Sequence, residues 1–348
     1  MRWTVRMLIK DQKTKVPPVV TTDLTGKTVV VIGANTGIGF EATKHFARMN
    51  PRKLILACRN KEKGEAALAE IKRETGCKTA ELRLVDLSDF NSVRSFARTF
   101  EEKYDRLDIL LESAAVSPVS TKPEFTKNGW ELGFQVNDLS PAYLALLLVP
   151  RMLDTAKRYN TIRRITLVTS ELHYWTEFKT EWLESPDALR KFGHKDMLKE
   201  KLKMDRYPQT KLIDLFFARA LSDRLPKGSN VIVNCATPGY CYSALDRNIA
   251  GFQKVIIAGL RKALARSTEE GSRQFVWAAV GPAPGEKYRV EELQGAYISL
   301  HSVREPSDYV ISDQGRWAQN KLFNDIVKEL SAEDPMVGEV VKNYLNKI

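Results

Sequence analysis

The alternation of short, apolar, β-branched runs with amphipathic helical stretches is what most narrows the folds open to this chain. The runs read as strands over Thr28–Ile32, Lys53–Ala57, Ala80–Val85, Leu107–Leu111, Arg164–Thr169, Asn230–Cys235 and Gly295–Ile298. Helical periodicity lies between them, as in Ile38–Met49, Lys61–Glu74 and Asn91–Tyr104. Strands that are apolar almost throughout must be covered on both faces, and an intervening helix supplies the crossover that a parallel sheet requires. Right-handed crossovers then wind the chain in both directions from its first strand. The expected fold is α/β, one doubly wound parallel sheet of about seven strands flanked by helices.

The first strand runs into Ile32-Gly33-Ala34-Asn35-Thr36-Gly37-Ile38-Gly39, and a helix begins at once. Glycines at such a turn let the backbone close on a pyrophosphate, whose charge the helix N-terminus stabilises. In this position the turn marks a Rossmann-type dinucleotide site, with Gly33, Asn35, Thr36, Gly37, Ile38 and Gly39 as the cradle. The second strand ends Leu56-Ala57-Cys58-Arg59-Asn60. An acid there would hold the ribose 2′-hydroxyl of NAD, whereas Arg59 suits the 2′-phosphate of NADP. NADP(H) is the expected cofactor. Asp86 and Leu87 follow the third strand at the same edge; Asp86 reads either as a partner of the adenine amino group or as a helix N-cap before Phe90, with Ser88 competing.

Tyr207-Pro208-Gln209-Thr210-Lys211 places a phenol and an ammonium four residues apart, on one helical face. A Lys⁺ beside a Tyr stabilises the phenolate and lowers a pKa of about 10 toward working pH. That is the requirement for acid–base exchange across a carbonyl–alcohol pair. Ser170 ends the fifth strand in Leu167-Val168-Thr169-Ser170. Its hydroxyl then lies at the carboxyl edge of the sheet, where ligands of such folds bind. Because Pro208 disfavours the α region for its predecessor, Tyr207 is expected at a helix start.

With these motifs in this order, residues 25–330 resemble the short-chain dehydrogenase/reductase family. The resemblance implies cofactor glycines at Gly33, Gly37 and Gly39, and a catalytic tetrad of Asn137, Ser170, Tyr207 and Lys211. In that tetrad Tyr207 is the acid–base, Lys211 tunes it and holds the nicotinamide ribose, Ser170 binds the substrate oxygen, and Asn137 anchors a relay water. It also implies a loop over the nicotinamide at Pro238-Gly239, followed by Ser243, and a cofactor contact at Ser113-Ala114-Ala115. The Leu-Ala-Cys-Arg strand end and Arg266-Ser267-Thr268-Glu269-Glu270-Gly271 are similar to the retinol-dehydrogenase-like and WW-domain-oxidoreductase-like branch, in a fungal form. Two positions depart from the family pattern: Ile32 replaces its Thr, and Ser113-Ala114-Ala115 replaces its Asn-Ala-Gly. In the family these segments lie side by side, so both changes fall on one contact, which raises the alternative of a catalytically impaired NADP(H)-binding regulatory protein.

His173, Trp175, Tyr240 and Tyr242 flank these motifs and are the expected substrate contacts, although core packing accounts for each alone. An aromatic, apolar pocket suits a small lipophilic ketone, aldehyde or alcohol, such as a retinoid, a steroid or a fungal secondary metabolite. The chain is expected to be one domain over residues 25–348 behind a basic extension, residues 1–24. Its excursions are a charged insert at 171–206, a helical substrate lid at 244–272 and a C-terminal helix at 334–348. That last helix should start from Asp334 and Pro335, with Met336, Val340, Val341, Tyr344, Leu345 and Ile348 on its apolar stripe.

Fifty-four basic against 43 acidic residues give a net charge of +11, which favours anionic partners. The basic residues are spread along the chain and form no nucleic-acid motif, so nucleic acid is not an expected partner. Basic and apolar residues alternate over the lid, and five Lys/Arg stand against Asp11 in the first twenty residues. Peripheral contact with a membrane is therefore an expectation, as is a homodimer. Cys58, Cys77, Cys235 and Cys241 form no ligand cluster. With no secretory leader evident, they point to reduced thiols in the cytoplasm.

Overall fold

The computed structural model describes residues 4–117, 121–199, 201–203, 205–242, 261–282 and 289–348. Its strands are β1 (Thr28–Ile32), β2 (Lys53–Cys58), β3 (Ala80–Leu84), β4 (Ile109–Glu112), β5 (Arg163–Val168), β6 (Val231–Ala236), β7 (Tyr297–Ser299) and β8 (Ser302–Arg304). They form one sheet in the order β3-β2-β1-β4-β5-β6-β7-β8. Every pairing is parallel except β7 with β8. The chain leaves β1 toward β2 and β3, then returns to β4 on the other side, so the crevice between β1 and β4 is the switch point where such sheets bind ligands.

The eighth strand corrects the expected seven. Leu300 and His301 carry φ of 53° and 54° and turn the chain between β7 and β8. A hairpin turn of this hand is usually signalled by Asn or Gly, and neither is present.

Alternate residues along the sheet point into two cores. Val30, Ile32, Ile55 and Ala57 pack with the helices of one face, and Val29, Val31, Leu54 and Leu56 with those of the other. The helices are α1 (Val5–Lys13), α2 (Gly37–Ala47), α3 (Lys61–Thr75), α4 (Phe90–Lys103), α5 (Leu132–Tyr159), α6 (Thr180–Leu183), α7 (Ala188–Gly193), α8 (Arg206–Arg224), α9 (Thr268–Val280), α10 (Asp308–Ile311), α11 (Asp313–Glu333) and α12 (Pro335–Tyr344). Helix α5 is long and apolar enough to cross a membrane by length and composition, but its apolar stretch is largely buried in protein.

Three segments differ from expectation. The basic extension contains a helix, α1, capped by Thr4, whose hydroxyl accepts from Met7 N. The part of the expected lid beyond Ser267 belongs to α9, opened by a reciprocal Ser267–Glu270 capping box, and residues 244–260 lie outside the described residues. Helix α12 begins at the expected cap, with Asp334 accepting from Met336 N at 3.1 Å. Its buried positions are Val337 and Val340, followed by Leu345, whereas Met336, Tyr344 and Ile348 are exposed.

The start of α8 is fixed to the start of α5 by a buried ion pair. Arg206 donates to Glu131 Oε2 from Nε (3.1 Å) and Nη2 (2.9 Å). Glu131 in turn accepts from the amides of Gly133 and Phe134, and the guanidinium lies 3.5 Å from the Phe192 ring centroid. Removing one partner of such a pair strands the other charge, at a cost of ~3–5 kcal/mol. Arg206→Met should therefore lower the thermal midpoint markedly, whereas an unchanged melting curve would show that the pair does not hold α8.

Candidate active site

The glycine turn is built by contact rather than by flexibility alone. A Cβ at Gly33 would lie 2.9 Å from the Ala114 backbone, and one at Gly39 would lie 2.4 Å from Ser113 Oγ. A Cβ at Gly37 would meet nothing within 4 Å, so the turn opens outward there. Thr36 holds the N-cap position of α2, but its hydroxyl makes no capping bond. The first amides of α2 are thus left by the cap for an anion, and the turn fits a pyrophosphate. Asn35 and Ile38 flank it, half-buried. The turn also meets β2, since Gly33 N and Ala34 N donate to Ala57 O at 2.8 and 3.3 Å. Arg59 stands exposed just beyond.

The segments carrying Ile32 and Ser113 do face each other. Ser113 donates to the Ile32 carbonyl through its amide (3.1 Å) and its hydroxyl (2.6 Å). The serine thus reaches backbone, so the missing hydroxyl at Ile32 leaves it with no lost partner. Ala114 and Ala115 continue along the same edge, half-buried.

Asn137 lies in a π-helical turn, Gln135–Leu139, inside α5. Its Oδ1 accepts from Val116 N (2.8 Å), while Nδ2 donates to Val116 O (2.9 Å) and Thr210 Oγ1 (3.2 Å). The side chain thereby joins the loop after β4 to α8, and π turns often sit where such a side chain must be re-aimed. Tyr207 occupies the first turn of α8, as the proline suggests, one residue inside its start. The Lys211 ammonium lies 5.7 Å from the Tyr207 ring centroid and donates to Val168 O at 3.0 Å. Ser170 caps the 3₁₀ turn Glu171–Trp175, its Oγ accepting from Leu172 N at 3.2 Å, which leaves its own proton to donate elsewhere.

Other expected residues fall differently. His173 lines no opening: it is fully buried, its Nδ1 lies 2.8 Å from Ser170 O, and its ring packs on Tyr174 and Tyr297. Burial pushes its pKa down to about 4. The 3₁₀ turn folds it back against β7, which sequence proximity to Ser170 did not reveal. Trp175 and Tyr242 are exposed and Tyr240 is half-buried, on segments that follow β5 and β6. Gly239 takes φ of 75° between them, after Pro238, and Ser243 lies outside the described residues. Asp86 is not an N-cap, since its Oδ1 accepts from Ser88 N (2.9 Å) and Ser88 Oγ (2.6 Å), and Asp89 caps α4. Leu87 is buried, and its carbonyl accepts from Ser140 Oγ at 2.6 Å.

A cluster of buried acids beside Lys211 is absent from the sequence reading. Asp214 Oδ2 accepts from Lys211 Nζ at 2.6 Å, with both side chains almost wholly buried. Burial opposes the Lys211 charge, but Asp214 and then Tyr207 outweigh it and hold the ammonium above its usual pKa. Burial raises the Asp214 pKa, and the Lys211 charge and hydrogen bond pull it back. Glu112 ends β4 and Asp138 lies in the π turn; neither carboxyl has a hydrogen-bond partner among the described residues. Burial, then the charge of Asp214, raises both well above the ordinary carboxylate range. The only signal in the sequence was an acid at the end of an apolar strand.

Comparison with known proteins places this geometry. Residues 27–170 match the short chain dehydrogenase family. The short chain dehydrogenase/reductase dmxR8 of Cryptosporiopsis sp. is 31% identical over 92% of this chain and 95% of its own length. The short-chain dehydrogenase anuD of Penicillium roqueforti is 33% identical over 92% of this chain and 82% of its own. The chain belongs to the short-chain dehydrogenase/reductase family. It is an oxidoreductase that acts on CH–OH groups with a nicotinamide cofactor. Among solved structures, a short chain dehydrogenase from Shigella flexneri superposes with a TM-score of 0.56 at 19% identity, covering 83% of this chain and 97% of that one. L-Sorbose reductase from Gluconobacter frateurii, complexed with NADPH and L-sorbose, gives 0.53 at 19% identity, covering 74% and 90%. At that identity the likeness is one of fold.

The raised pKa of Glu112 has a defined sign. The unfolded chain loses this proton near pH ~4.3 while the folded chain keeps it, so stability falls as pH rises above that point. Glu112→Gln removes the slope: its melting midpoint should match the parent near pH 4 and exceed it by ~2 °C or more at pH 8. A parent that melts higher than the variant at both values would show instead that the carboxyl makes a specific stabilising contact.

Proposed function

We propose that this dehydrogenase/reductase interconverts a lipophilic ketone or aldehyde and its alcohol with NADP(H), and that Tyr207 moves the proton. The observation that carries the reading is Tyr207 one helical turn before a buried, positively charged Lys211, whose ammonium bonds Val168 O on the strand that leads into Ser170. The cofactor supplies or accepts the hydride when bound. Gly33, Gly37 and Gly39 would admit its pyrophosphate against α2, and Ala114 would line the facing wall. Arg59 would take the 2′-phosphate, since its planar fork matches phosphate and no acid stands among residues 57–60 to repel it.

In reduction Tyr207 gives its phenolic proton to the carbonyl oxygen, and in oxidation the phenolate takes it back. Lys211 stabilises the phenolate through space. Two of its three N–H donors face Val168 O and Asp214, which leaves the third for a ribose hydroxyl. Ser170 donates to the same substrate oxygen. Asn137 holds α8 and the loop after β4 in register, and the second lone pair of its Oδ1 can accept from a relay water. Trp175, Tyr240 and Tyr242 would supply an apolar rim, which is the ground for a lipophilic substrate.

Two experiments test this reading. Tyr207→Phe removes one hydroxyl, so turnover should fall ~10²–10⁴-fold with NADPH affinity nearly intact. Near-parental rates would end the acid–base assignment. A variant that binds NADPH as the parent does, from a parent inert across a carbonyl panel, would favour a regulatory protein. Arg59→Asp should weaken NADPH at least ~10-fold and raise the relative preference for NADH, because a like charge then faces the 2′-phosphate. Equal parental affinities for the two cofactors would remove Arg59 from the 2′-phosphate role.

A further inference from the structure

Gln12 is the one residue of α1 that is buried. Its carboxamide is spent on backbone more than two hundred residues away. Nε2 donates to Tyr240 O at 2.6 Å and to Leu264 O at 2.8 Å, and Oε1 accepts from Tyr240 N at 3.0 Å. Both backbone groups of Tyr240 are thereby taken by one side chain, as a neighbouring strand would take them. Tyr240 follows β6 and Leu264 precedes α9, on either side of a stretch outside the described residues.

Arg266 closes the same junction. Its Nη2 donates to Asp11 O at 2.5 Å and Thr14 O at 3.5 Å, and its Nη1 to Pro238 O at 3.4 Å. Arg266 N and O pair with Tyr240 O and Tyr242 N, each at 2.9 Å. The packing leaves no slack: a Cβ on Gly239 would lie 2.4 Å from Arg266 Nη1 and 3.0 Å from Gln12 Oε1. A surface helix that served only to cover the core would bury apolar side chains. This one buries an amide whose bonds all run to the two ends of one excursion.

We propose that Gln12 is a positioning residue of the active site: it fixes the Pro238–Tyr242 loop, and so sets where Tyr240 and Tyr242 stand for the substrate. The placement of these tyrosines at the substrate rests on the function proposed above; the tether itself does not. In this role Gln12 touches neither substrate nor cofactor. Its loss should be felt as poorer substrate capture rather than as lost proton transfer.

Two variants of matched size separate hydrogen bonding from packing. Gln12→Met keeps the volume and loses all three bonds; Gln12→Glu keeps an acceptor but sets a carboxylate against two carbonyl oxygens. In the full chain, the Tyr240 amide should exchange with solvent ~10-fold faster or more in Gln12→Met, and at least as fast in Gln12→Glu. KM for a lipophilic carbonyl should rise ~5-fold or more in both, with kcat and NADPH affinity within ~2-fold of the parent. Parental exchange at Tyr240 in folded Gln12→Met overturns the tether. Accelerated exchange with an unchanged KM overturns its role at the substrate and leaves a structural clasp. A parent that turns over no carbonyl sinks the proposed function instead, and Tyr240 exchange still decides the tether. Gln12→Met indistinguishable from the parent in both readouts would show that packing alone is at work, and would end the proposal.

Discussion

Lys211 carries its charge almost out of contact with water, and the architecture around it can be read as the means of keeping that charge in place. An ammonium in such a site neutralises unless it is paired and hydrogen-bonded. Here Val168 O and Asp214 satisfy it, and both are in reach only if α8 lies along β5 in one register. Two contacts set that register: Arg206 on Glu131 at the start of α8, and Thr210 on Asn137 one turn later. The π turn that aims Asn137 is thus part of the same support. The acids nearby bear on the proposed acid–base role of Tyr207, because a lysine shared with Asp214 has less field to spend on a phenolate than an unshared one.

Much of the fold was legible because its signals are local. Apolar strands with intervening helices define the sheet within a residue or two, and Gly33, Gly37 and Gly39 mark the turn from β1 into α2 by position alone. Tyr207 and Lys211 were legible for the same reason, since a spacing of four on a helix is a statement about one face. What escaped was formed by pairs distant in sequence. Nothing near Glu131 announces Arg206, 75 residues away, and a charged residue on a helix is by default assigned to solvent. Asp214 lies only three residues from Lys211. Even so, its spacing reads equally well as an ordinary exposed helix pair, and only burial distinguishes the two.

The errors have physical sources as well. His173 looked like a pocket residue from its neighbours, yet the turn capped by Ser170 rotates it under β7. The β7–β8 hairpin turns through Leu300 and His301, residues that seldom adopt positive φ, so no turn signal is present. The helix of the N-terminal extension reads as a solvated basic segment because its one buried residue, Gln12, is polar. An amphipathic pattern cannot flag a glutamine whose partners are backbone groups more than two hundred residues away.

The proposed chemistry requires that the crevice between β1 and β4 present a nicotinamide to Tyr207 with Lys211 beneath it. A crystal structure of the complex with NADP⁺ tests it directly. The pyrophosphate should lie over the Gly33–Gly39 turn, the 2′-phosphate against Arg59, and the nicotinamide ribose within hydrogen-bond distance of Lys211 Nζ, with the ring facing Tyr207. A cofactor whose nicotinamide lies away from Tyr207, with Lys211 still held only by Val168 and Asp214, would contradict it.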